Sequence, residues 1–404
     1  MDSSGVLKEY VEKQDEEYEW EVDSEDTFFG SRVCNINLKS QRWKGIKWKH
    51  RLKLVSPEQV KKKNLLLLIS GSGHGFEELV FCKTLSDQLG LPSAVLCDVP
   101  NQPLFDGLYE DALISFTFSN FIKTGDEEWP LLLPMVKAAS RSMDCLEEFF
   151  ETRGERVEGF IVTGASKRGW TTWLVSAVDK RAKAIAPMVF DNLNLFEQMK
   201  HQVECYGTYS EQIADYVNLK PLELLQSEVG QRLSRIVDPY CYRGDIGVPK
   251  LIINGTNDRY WTVDSLNLYY DGLIGEKRVL YVPNSGHALE DRRRVISSIS
   301  ALTHSVVSGA KLPEVVISFE EGRKTLQIFL SDKPLFVDIW VAISGSMDFR
   351  DSRWISYPAF KEDNLYSFPL SRVDKYLAAF VEAVFVSEGI TFSLSSKMTV
   401  LRPF

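Results

Sequence analysis

Between residues 27 and 308 the chain alternates short apolar segments with longer stretches of mixed character. Several apolar segments are unbroken aliphatic runs, such as the five residues of 65–69, rather than alternating patterns. Unbroken runs are typical of strands that are buried on both faces of a parallel sheet. The strands predicted in this way span 45–55, 65–70, 93–98, 159–163, 184–190, 250–254 and 278–282.

The stretches between these strands have the spacing of amphipathic helices. From about 131 to 150, apolar residues such as Met135, Ala138 and Met143 recur at helical intervals. Further helices are predicted after Ser166 and over about 263–273. Strands and helices that alternate in this way are connected by right-handed crossovers, which predicts a doubly wound, mostly parallel α/β sheet.

Three departures from this alternation divide the chain. Residues 1–26 are acid-rich, and we expect a solvated lead-in helix or tail there. Within a catalytic domain at 27–310, the Gln-, Glu- and Tyr-rich insert at about 191–247 predicts a helical cap. From 311 to 404 the pattern changes to period-two segments separated by turn signals, which predicts a C-terminal antiparallel β-sandwich domain.

Composition excludes several classes of protein. The 47 Lys and Arg residues against 56 Asp and Glu give a net charge of −9, so we expect neither a nucleic-acid partner nor docking on an anionic membrane. No apolar run approaches the roughly 20 residues of a membrane span, and the acidic start lacks a secretory signal. The six cysteines form no CxxC pair, and no histidine at metal spacing is recognised. We therefore expect a reduced, cytoplasmic protein without a metal or an organic cofactor.

Ser166 is the candidate nucleophile. It lies between a predicted strand and a predicted helix, in the sequence Gly164-Ala-Ser166-Lys-Arg168-Gly169. A serine at such an elbow exposes its hydroxyl at the carboxyl edge of the sheet, beside backbone N–H groups of the helix N-terminus. The pattern departs from G-x-S-x-G because Arg168 occupies the place of the second glycine. The alternative is a serine that merely caps the helix.

The candidate base and acid follow later strands. Hydrolases with this architecture present the triad in the chain order serine, acid, histidine. His287 follows the strand at 278–282, whereas His304 falls in a helix-like run and is more typical of a structural residue. Asp258 follows the strand at 250–254 and a glycine turn, where it would hold the imidazole tautomer. The alternatives are an N-capping acid and a histidine that is only a turn residue.

A glycine-rich loop after the strand at 65–70 supplies the candidate oxyanion site. Backbone N–H groups of Ser72 and Gly73, together with that of Lys167, are expected to bind the oxyanion. A phosphate-binding loop is the rival interpretation, but the loop lacks the Lys-Ser/Thr ending of a P-loop.

The sequence resembles the PhoPQ-activated pathogenicity-related protein family, which includes the autocrine proliferation repressors. The segments that carry the resemblance are 48–57, 110–114, 124–137, 163–170, 186–194, 238–240, 254–258 and 283–287. The resemblance implies an α/β-hydrolase fold with Ser166, Asp258 and His287 in the triad positions, and Gly-Ala-Ser-Lys-Arg-Gly as the family's own elbow. The relationship of the fold to dipeptidyl and prolyl peptidases suggests peptide cleavage. The chain differs from the secreted members in showing no signal peptide.

Four further residues are candidates for substrate binding. Asp191, Asn192 and Asn194 follow the strand at 184–190, at the edge where open α/β sheets bind ligands, and Trp261 could line a pocket. The alternatives are that the first three only open the cap and that the tryptophan belongs to the core.

The sequence thus predicts a serine hydrolase that acts on a peptide or a small ester, either a dipeptidyl- or aminopeptidase-like enzyme or a carboxylesterase. The alternative is a non-catalytic signalling or binding protein on a hydrolase scaffold. The oligomeric state is left open.

Overall fold

The computed structural model describes residues 4–73, 75–362, 365–371 and 374–403. The strands, in chain order, are β1 Glu19–Phe28, β2 Ser31–Trp43, β3 Ile46–Ser56, β4 Asn64–Ile69, β5 Ser93–Leu96, β6 Gly159–Ala165, β7 Ala182–Met188, β8 Lys250–Gly255, β9 Lys277–Val282, β10 Val315–Glu320, β11 Thr325–Leu330, β12 Phe336–Ser344, β13 Ile355–Pro358, β14 Phe360–Glu362, β15 Leu365–Pro369, β16 Tyr376–Ser387, β17 Ile390–Ser395 and β18 Thr399–Leu401. The α-helices are α1 Ser4–Glu12, α2 Phe76–Leu89, α3 Glu110–Thr124, α4 Leu132–Glu151, α5 Lys167–Val178, α6 Leu195–Tyr206, α7 Ala214–Val217, α8 Pro221–Gln226, α9 Glu228–Val237 and α10 Arg292–Ser308.

The chain forms two compact units. The first comprises residues 1–190 and 215–249, and the second comprises residues 191–214 and 250–404. The division of the chain at residue 310 stays a sequence-based prediction. The helical character predicted for the insert is confirmed, because α6 to α9 all lie within it.

The first unit is a mixed sheet with its helices. Its strand order is β1-β2-β3-β5-β4-β6-β7, with antiparallel pairing up to β5 and parallel pairing from there on. Five residues of β4 and six of β6 are buried, as the unbroken aliphatic runs predict for strands covered on both faces. The nucleophile candidate follows β6, so a rigid, buried strand leads directly into its turn.

The second unit begins with two parallel strands and continues with antiparallel ones. β8 pairs with β9 in parallel, and one bridge from Val279 to Ser395 links β9 to β17. β16, β12 and β13 then extend this sheet, and β18 pairs with β16. A separate four-stranded antiparallel sheet has the order β10-β11-β15-β14. The predicted α/β class is confirmed, and the strands predicted for the C-terminal β-sandwich are present and antiparallel. They are divided between this sheet, which takes β12, β13 and β16–β18, and the four-stranded sheet.

The structure differs from the sequence-based expectation at the N-terminus and at 263–273. Leu7, Tyr10 and Val11 of α1 are buried, so this helix is packed rather than solvated, whereas β1 pairs with β2 and stays mostly exposed. The predicted helix at 263–273 is wrong, because only 3₁₀ turns form at Ser265–Leu268 and Tyr270–Gly272. The side-chain amides of Gln198 in α6 and of Asn194, which caps that helix, donate to the carbonyls of Ser265 and Leu268 in place of helical N–H groups. None of the described helices is both long and apolar enough for a membrane span.

Candidate active site

Ser166 lies in the turn that joins β6 to α5. Its backbone angles, φ 58° and ψ −124°, are ones that a residue with a side chain rarely adopts. The Ser166 N–H donates to the Met188 carbonyl at 2.9 Å, and the Ser166 carbonyl accepts from the Trp170 N–H at 3.0 Å. Within α5, which the structure describes throughout, the serine side chain makes no capping hydrogen bond. These features contradict an ordinary N-cap and are typical of a strained nucleophile elbow.

Two glycines allow the strand and the helix to approach each other at this elbow. A Cβ on Gly164 would lie 2.7 Å from the carbonyl oxygen of Arg168, and a Cβ on Gly169 would lie 2.8 Å from that of Met188. Both distances are far below van der Waals contact with a backbone atom that cannot move freely. The close approach that the second glycine of G-x-S-x-G permits is therefore provided one residue later, by Gly169.

Position 168 therefore does not need to be glycine. The Arg168 side chain is buried and forms an ion pair. Its two terminal nitrogens bond the two carboxylate oxygens of Glu110 at 2.8 and 2.6 Å, and its Nε donates to the Val99 carbonyl. Burial would raise the pKa of Glu110, but the hydrogen bonds and charge of Arg168, with the charge of Lys167, lower it to about 2. Lys167 in turn pairs with Asp111 at 2.7 Å. The first turn of α5 is thus fixed to the start of α3.

The same guanidinium packs against the predicted oxyanion loop. A Cβ on Gly71 would collide with the Arg168 guanidinium, so a larger residue at this position would displace Arg168 from its present place. The Ser72 hydroxyl accepts a hydrogen bond from the Gln102 side chain at 3.2 Å, and Gly73, with φ 135°, accepts one from Arg51 through its carbonyl. Ser72 and Gly73 are exposed. Their role and that of the Lys167 N–H in binding an oxyanion stay predictions.

In the second unit, the turns after β8 and β9 bring the predicted acid and base together. The Nδ1 of His287 lies 2.7 Å from Oδ2 of Asp258. The other carboxylate oxygen of Asp258 accepts from the Tyr260 N–H at 2.9 Å. The two turns are joined by a hydrogen bond from the Asn257 N–H to the Ser285 carbonyl at 2.9 Å. The acid is therefore held in place independently of its partner.

The bond to Asp258 determines which nitrogen of His287 can accept a proton. When Nδ1–H donates to a carboxylate, the neutral ring carries its lone pair on Nε2. This Nε2 is buried and has no hydrogen-bond partner among the residues that the structure describes. The Tyr260 ring lies against the imidazole, with centroids 4.3 Å apart, and restrains its orientation. A neutral imidazole with its lone pair on a nitrogen that no other described group uses can act as a general base toward a hydroxyl within hydrogen-bond reach.

The four predicted substrate-binding residues also belong to the second unit. Asp191 is fully buried, and its Oδ1 accepts from the Tyr269 hydroxyl at 2.6 Å. Burial raises the pKa of Asp191 to about 7, against the hydrogen bond from Tyr269, and the charge of Asp258 adds to the increase. Asn194 begins α6 with φ 69° and donates to the Leu268 carbonyl. These bonds tie Asp191 and Asn194 into the second unit itself.

The other two members of this set are also largely covered. Asn192 is buried, and its side-chain oxygen has no hydrogen-bond partner among the described residues. Trp261 is 9% exposed, and its carbonyl accepts from the Tyr206 hydroxyl. Contact of any of these four residues with a substrate stays a prediction.

Sequence reasoning does not reveal the roles of Arg168, Gln102 and Tyr260. In the sequence, Arg168 is recognised only as a departure from the elbow pattern, because its partner Glu110 is 58 residues away. Tyr260 follows Asp258 by two positions, and that short spacing, typical of a turn in which a carboxylate accepts a backbone N–H, is the one local signal.

Comparison with known proteins decides the family. Residues 7–350 match the family described as PhoPQ-activated pathogenicity-related protein. The chain belongs to this family. It is also 31% identical over 384 residues to autocrine proliferation repressor protein A of Dictyostelium discoideum, a match that covers 87% of this chain and 77% of the relative. Among solved structures, acetyl xylan esterase from Paenibacillus sp. R4 is similar with a TM-score of 0.50 and 15% identity, over 73% of this chain and 92% of that one.

The two comparisons establish different things. The match to the PhoPQ-activated pathogenicity-related family identifies the residues that are shared, and the similarity to the esterase concerns the fold. The esterase, at 15% identity, establishes the fold alone, which is that of an α/β-hydrolase. The family match extends over the elbow and over the acid–base pair, and it ends at residue 350 in the loop after β12. The family match therefore covers the elements that carry all three triad candidates.

Proposed function

We propose that the protein is a serine hydrolase in which Ser166 is the nucleophile, His287 the general base and Asp258 the residue that orients the base. The observation that carries the proposal is the Ser166 elbow, where a non-glycine residue has φ 58° and its hydroxyl is not used to cap α5. Such strain persists where the surrounding structure imposes it, and it is characteristic of catalytic positions. The Asp258–His287 hydrogen bond supports the assignment of the other two roles.

In the proposed first step, Nε2 of His287 takes the proton of the Ser166 hydroxyl while Oγ attacks an acyl carbonyl. The carbonyl π-bond electrons move to oxygen, and the new C–O bond gives a tetrahedral intermediate. The negative charge of Asp258 stabilises the imidazolium that forms, without itself taking the proton. The N–H of Lys167 and those of Ser72 and Gly73 are the proposed donors to the oxyanion, each typically worth about 3 kcal/mol of barrier.

In the second half of the reaction, the imidazolium returns its proton to the leaving alkoxide or amine, and the acyl group stays on Ser166. Water then attacks the acyl-enzyme with His287 again as the base, and the acid is released with a regenerated hydroxyl. The balance requires water alone, so the proposed reaction needs no cofactor.

The substrate is proposed to be a small carboxylic ester or a peptide bond. The name of the Paenibacillus acetyl xylan esterase favours acetyl esters as the first esters to test. The resemblance to peptidase folds favours short peptides with a free amino terminus. Two acids near the elbow, Glu110 and Asp111, have the charge to bind such an amine, but Arg168 and Lys167 already pair with them. That pairing favours an ester or an internal peptide bond.

A fluorophosphonate probe tests the nucleophile. Labelling of the wild-type protein is expected, and Ser166→Ala should abolish it. Ser308→Ala, at the exposed end of α10, is the matched control and should label like the wild type. Esters and amides with the same acyl group then separate esterase from peptidase activity. Labelling that persists in Ser166→Ala would assign the nucleophile to another residue.

The Dictyostelium relative supports a second function, because its name describes a proliferation repressor rather than an enzyme. In this alternative the protein is a non-catalytic signalling or binding protein that uses the hydrolase scaffold. It predicts a folded protein that the probe does not label and that binds a partner equally well before and after Ser166→Ala.

A further inference from the structure

Helix α6 and the segment after β8 bring together three side chains with metal-binding atoms. His201 and Cys205 are four residues apart, so they lie on one face of α6. Asp264 lies immediately before the 3₁₀ turn Ser265–Leu268. The Nε2 of His201 is 2.8 Å from Oδ1 of Asp264 and 3.4 Å from Sγ of Cys205. Sγ of Cys205 is also 3.8 Å from Nδ1 of the same ring, so the thiol lies beside the imidazole and somewhat closer to the nitrogen that faces Asp264.

The separation of sulfur and nitrogen in this cluster matches a tetrahedral zinc site, and that of nitrogen and oxygen is slightly shorter than such a site needs. Zinc–sulfur bonds of about 2.3 Å and zinc–nitrogen bonds of about 2.0 Å place sulfur and nitrogen ligands about 3.5 Å apart. The observed 3.4 Å between Sγ of Cys205 and Nε2 of His201 is close to that value. The same reasoning gives about 3.3 Å for nitrogen and oxygen ligands, so Asp264 needs to move outward by only about 0.5 Å. All three ligand atoms already lie within 4.8 Å of one another.

The positions of these ligands are fixed by bonds on both sides of the cluster. Gln198 of α6 donates to the Ser265 carbonyl at 3.0 Å, and Gln202 donates to the Tyr260 carbonyl at 2.8 Å. Together with the hydrogen bond from Tyr206 to Trp261, these contacts hold α6 along the segment 260–265. A metal-binding site is preorganised when its ligands are held in this way by their surroundings.

The three side chains are largely shielded from solvent, and they offer nitrogen, sulfur and oxygen as ligand atoms. The side chains of His201 and Asp264 are 15% and 13% exposed, and Cys205 is buried. A His–Asp ion pair alone does not require a thiol, yet Cys205 approaches the same nitrogen. Thiolate and imidazole select zinc and similar transition metals, whereas magnesium and calcium prefer oxygen ligands. Glu204, largely exposed, has a carboxylate oxygen 3.9 Å from Nδ1 of the same imidazole, on the other side of the ring.

We propose that His201, Cys205 and Asp264 form a binding site for a zinc-like divalent cation, with water in the fourth position. The metal would join α6 to the segment that follows Asp258, and so would stabilise the second unit. This role is independent of the proposed hydrolase reaction. The sequence-based expectation of no metal is revised by it, since His-x₃-Cys on a helix is a metal-binding spacing that the search for CxxC pairs overlooks.

Titration of the chelator-treated full chain with Co²⁺ tests the site. We expect one equivalent to bind and to give a thiolate-to-cobalt charge-transfer band, which one equivalent of Zn²⁺ then removes. Cys205→Ser should abolish the band, and His201→Gln and Asp264→Asn should each weaken cobalt binding at least tenfold. Cys241→Ser removes the exposed cysteine and His304→Gln a histidine of α10, and both should bind like the wild type.

The outcomes separate this proposal from the proposed hydrolase function. Ser166→Ala should bind cobalt like the wild type whether or not it reacts with a fluorophosphonate. The absence of a charge-transfer band in the folded wild-type protein overturns the site, and so does a band of full intensity in Cys205→Ser. Should the cysteine variant not fold, loss of tight binding in the conservative Asp264→Asn variant supports the same ligand set, and unchanged binding there contradicts it.

Discussion

Ser166 has a backbone conformation that is strained by about 1–3 kcal/mol relative to ordinary regions of the φ/ψ map. Its N–H bond to Met188 and the packing of two flanking glycines hold it there. His287 shows a similar restriction, since Asp258 bonds one nitrogen and leaves the other buried and unpaired within the described chain. In both residues, the surroundings fix the geometry of an atom to which we assign a role in the proposed reaction.

The charge of Asp258 is the part of this arrangement that can be removed without changing its shape. Asp258→Asn keeps a side chain of the same size but no longer stabilises an imidazolium, and it permits the wrong ring tautomer. If the proposed roles hold, we expect kcat/KM on the best ester or amide substrate to fall by about 10⁴, the loss that this substitution causes in a hydrolase with an established triad. The melting temperature should change little by comparison.

Asp271→Asn is the matched control for this substitution, because Asp271 is exposed and pairs with Lys397 at the surface. Its kcat/KM should equal that of the wild type. A loss of less than tenfold in Asp258→Asn would contradict the role of the acid.

At the scale of elements, the local sequence pattern is sufficient to predict strands that are buried along nearly their whole length. The buried strands β4, β6 and β8 carry unbroken apolar runs, so both their existence and their approximate bounds follow from sequence. The sequence pattern does not predict β1, because this strand is mostly exposed and is stabilised by its pairing with β2. The 3₁₀ turns at 265–272 cannot be predicted from local pattern either, because the side chains of Gln198 and Asn194 donate to carbonyls that helical N–H groups would otherwise bond.

In the candidate site, too, some residues can be identified from local sequence pattern and others only from contacts that the fold creates. Ser166, Asp258 and His287 can be found from sequence because each one follows an identifiable strand, and chain order relates them. The Arg168–Glu110 pair depends on a contact between α5 and α3 that no short pattern encodes. The spacing of His201 and Cys205 is visible in the sequence, but Asp264 becomes a partner only through the fold.

The junction of β6 with α5 allows a test in which helix propensity and packing oppose each other. Alanine favours a helix over glycine by about 1 kcal/mol, so Gly169→Ala should stabilise α5 if propensity decided. The added Cβ would instead lie 2.8 Å from the Met188 carbonyl. We expect a net loss of about 1–3 kcal/mol in unfolding free energy and slower labelling of Ser166 by a fluorophosphonate.

Gly244→Ala is the control for this prediction, because a Cβ at that glycine of the same unit meets nothing within 4 Å. Its stability should be equal to or slightly above that of the wild type. Equal stabilities of Gly169→Ala and the wild type in denaturant titrations would show that the elbow tolerates a wider separation.

Across the whole molecule, one half-buried and one buried carboxyl group, those of Glu110 and Asp191, make contributions of opposite sign to the pH dependence of stability. The pKa of Glu110 is lowered to about 2, against the effect of burial, by Arg168, so its contribution is present above its ordinary pKa and is lost as pH falls toward 2. Burial raises the pKa of Asp191 to about 7, so the folded state retains a proton that the unfolded state releases at lower pH. Stability from this group is complete in acid and is lost as pH rises toward 7.

Asp191→Asn isolates the second of these contributions. The amide cannot ionise and can still accept the hydrogen bond from Tyr269, so the penalty for the buried charge is absent at every pH. Relative to the wild type, the variant should gain up to about 4 kcal/mol of unfolding free energy between pH 4 and pH 8, whatever constant offset the substitution itself introduces. Denaturant titrations across this range measure the change, with the exposed Asp332→Asn as the control. A difference between variant and wild type that stays constant from pH 4 to pH 8 means that Asp191 is ionised in the folded protein throughout. The elevated pKa, and the proton that it implies beside Asp258, would then be excluded.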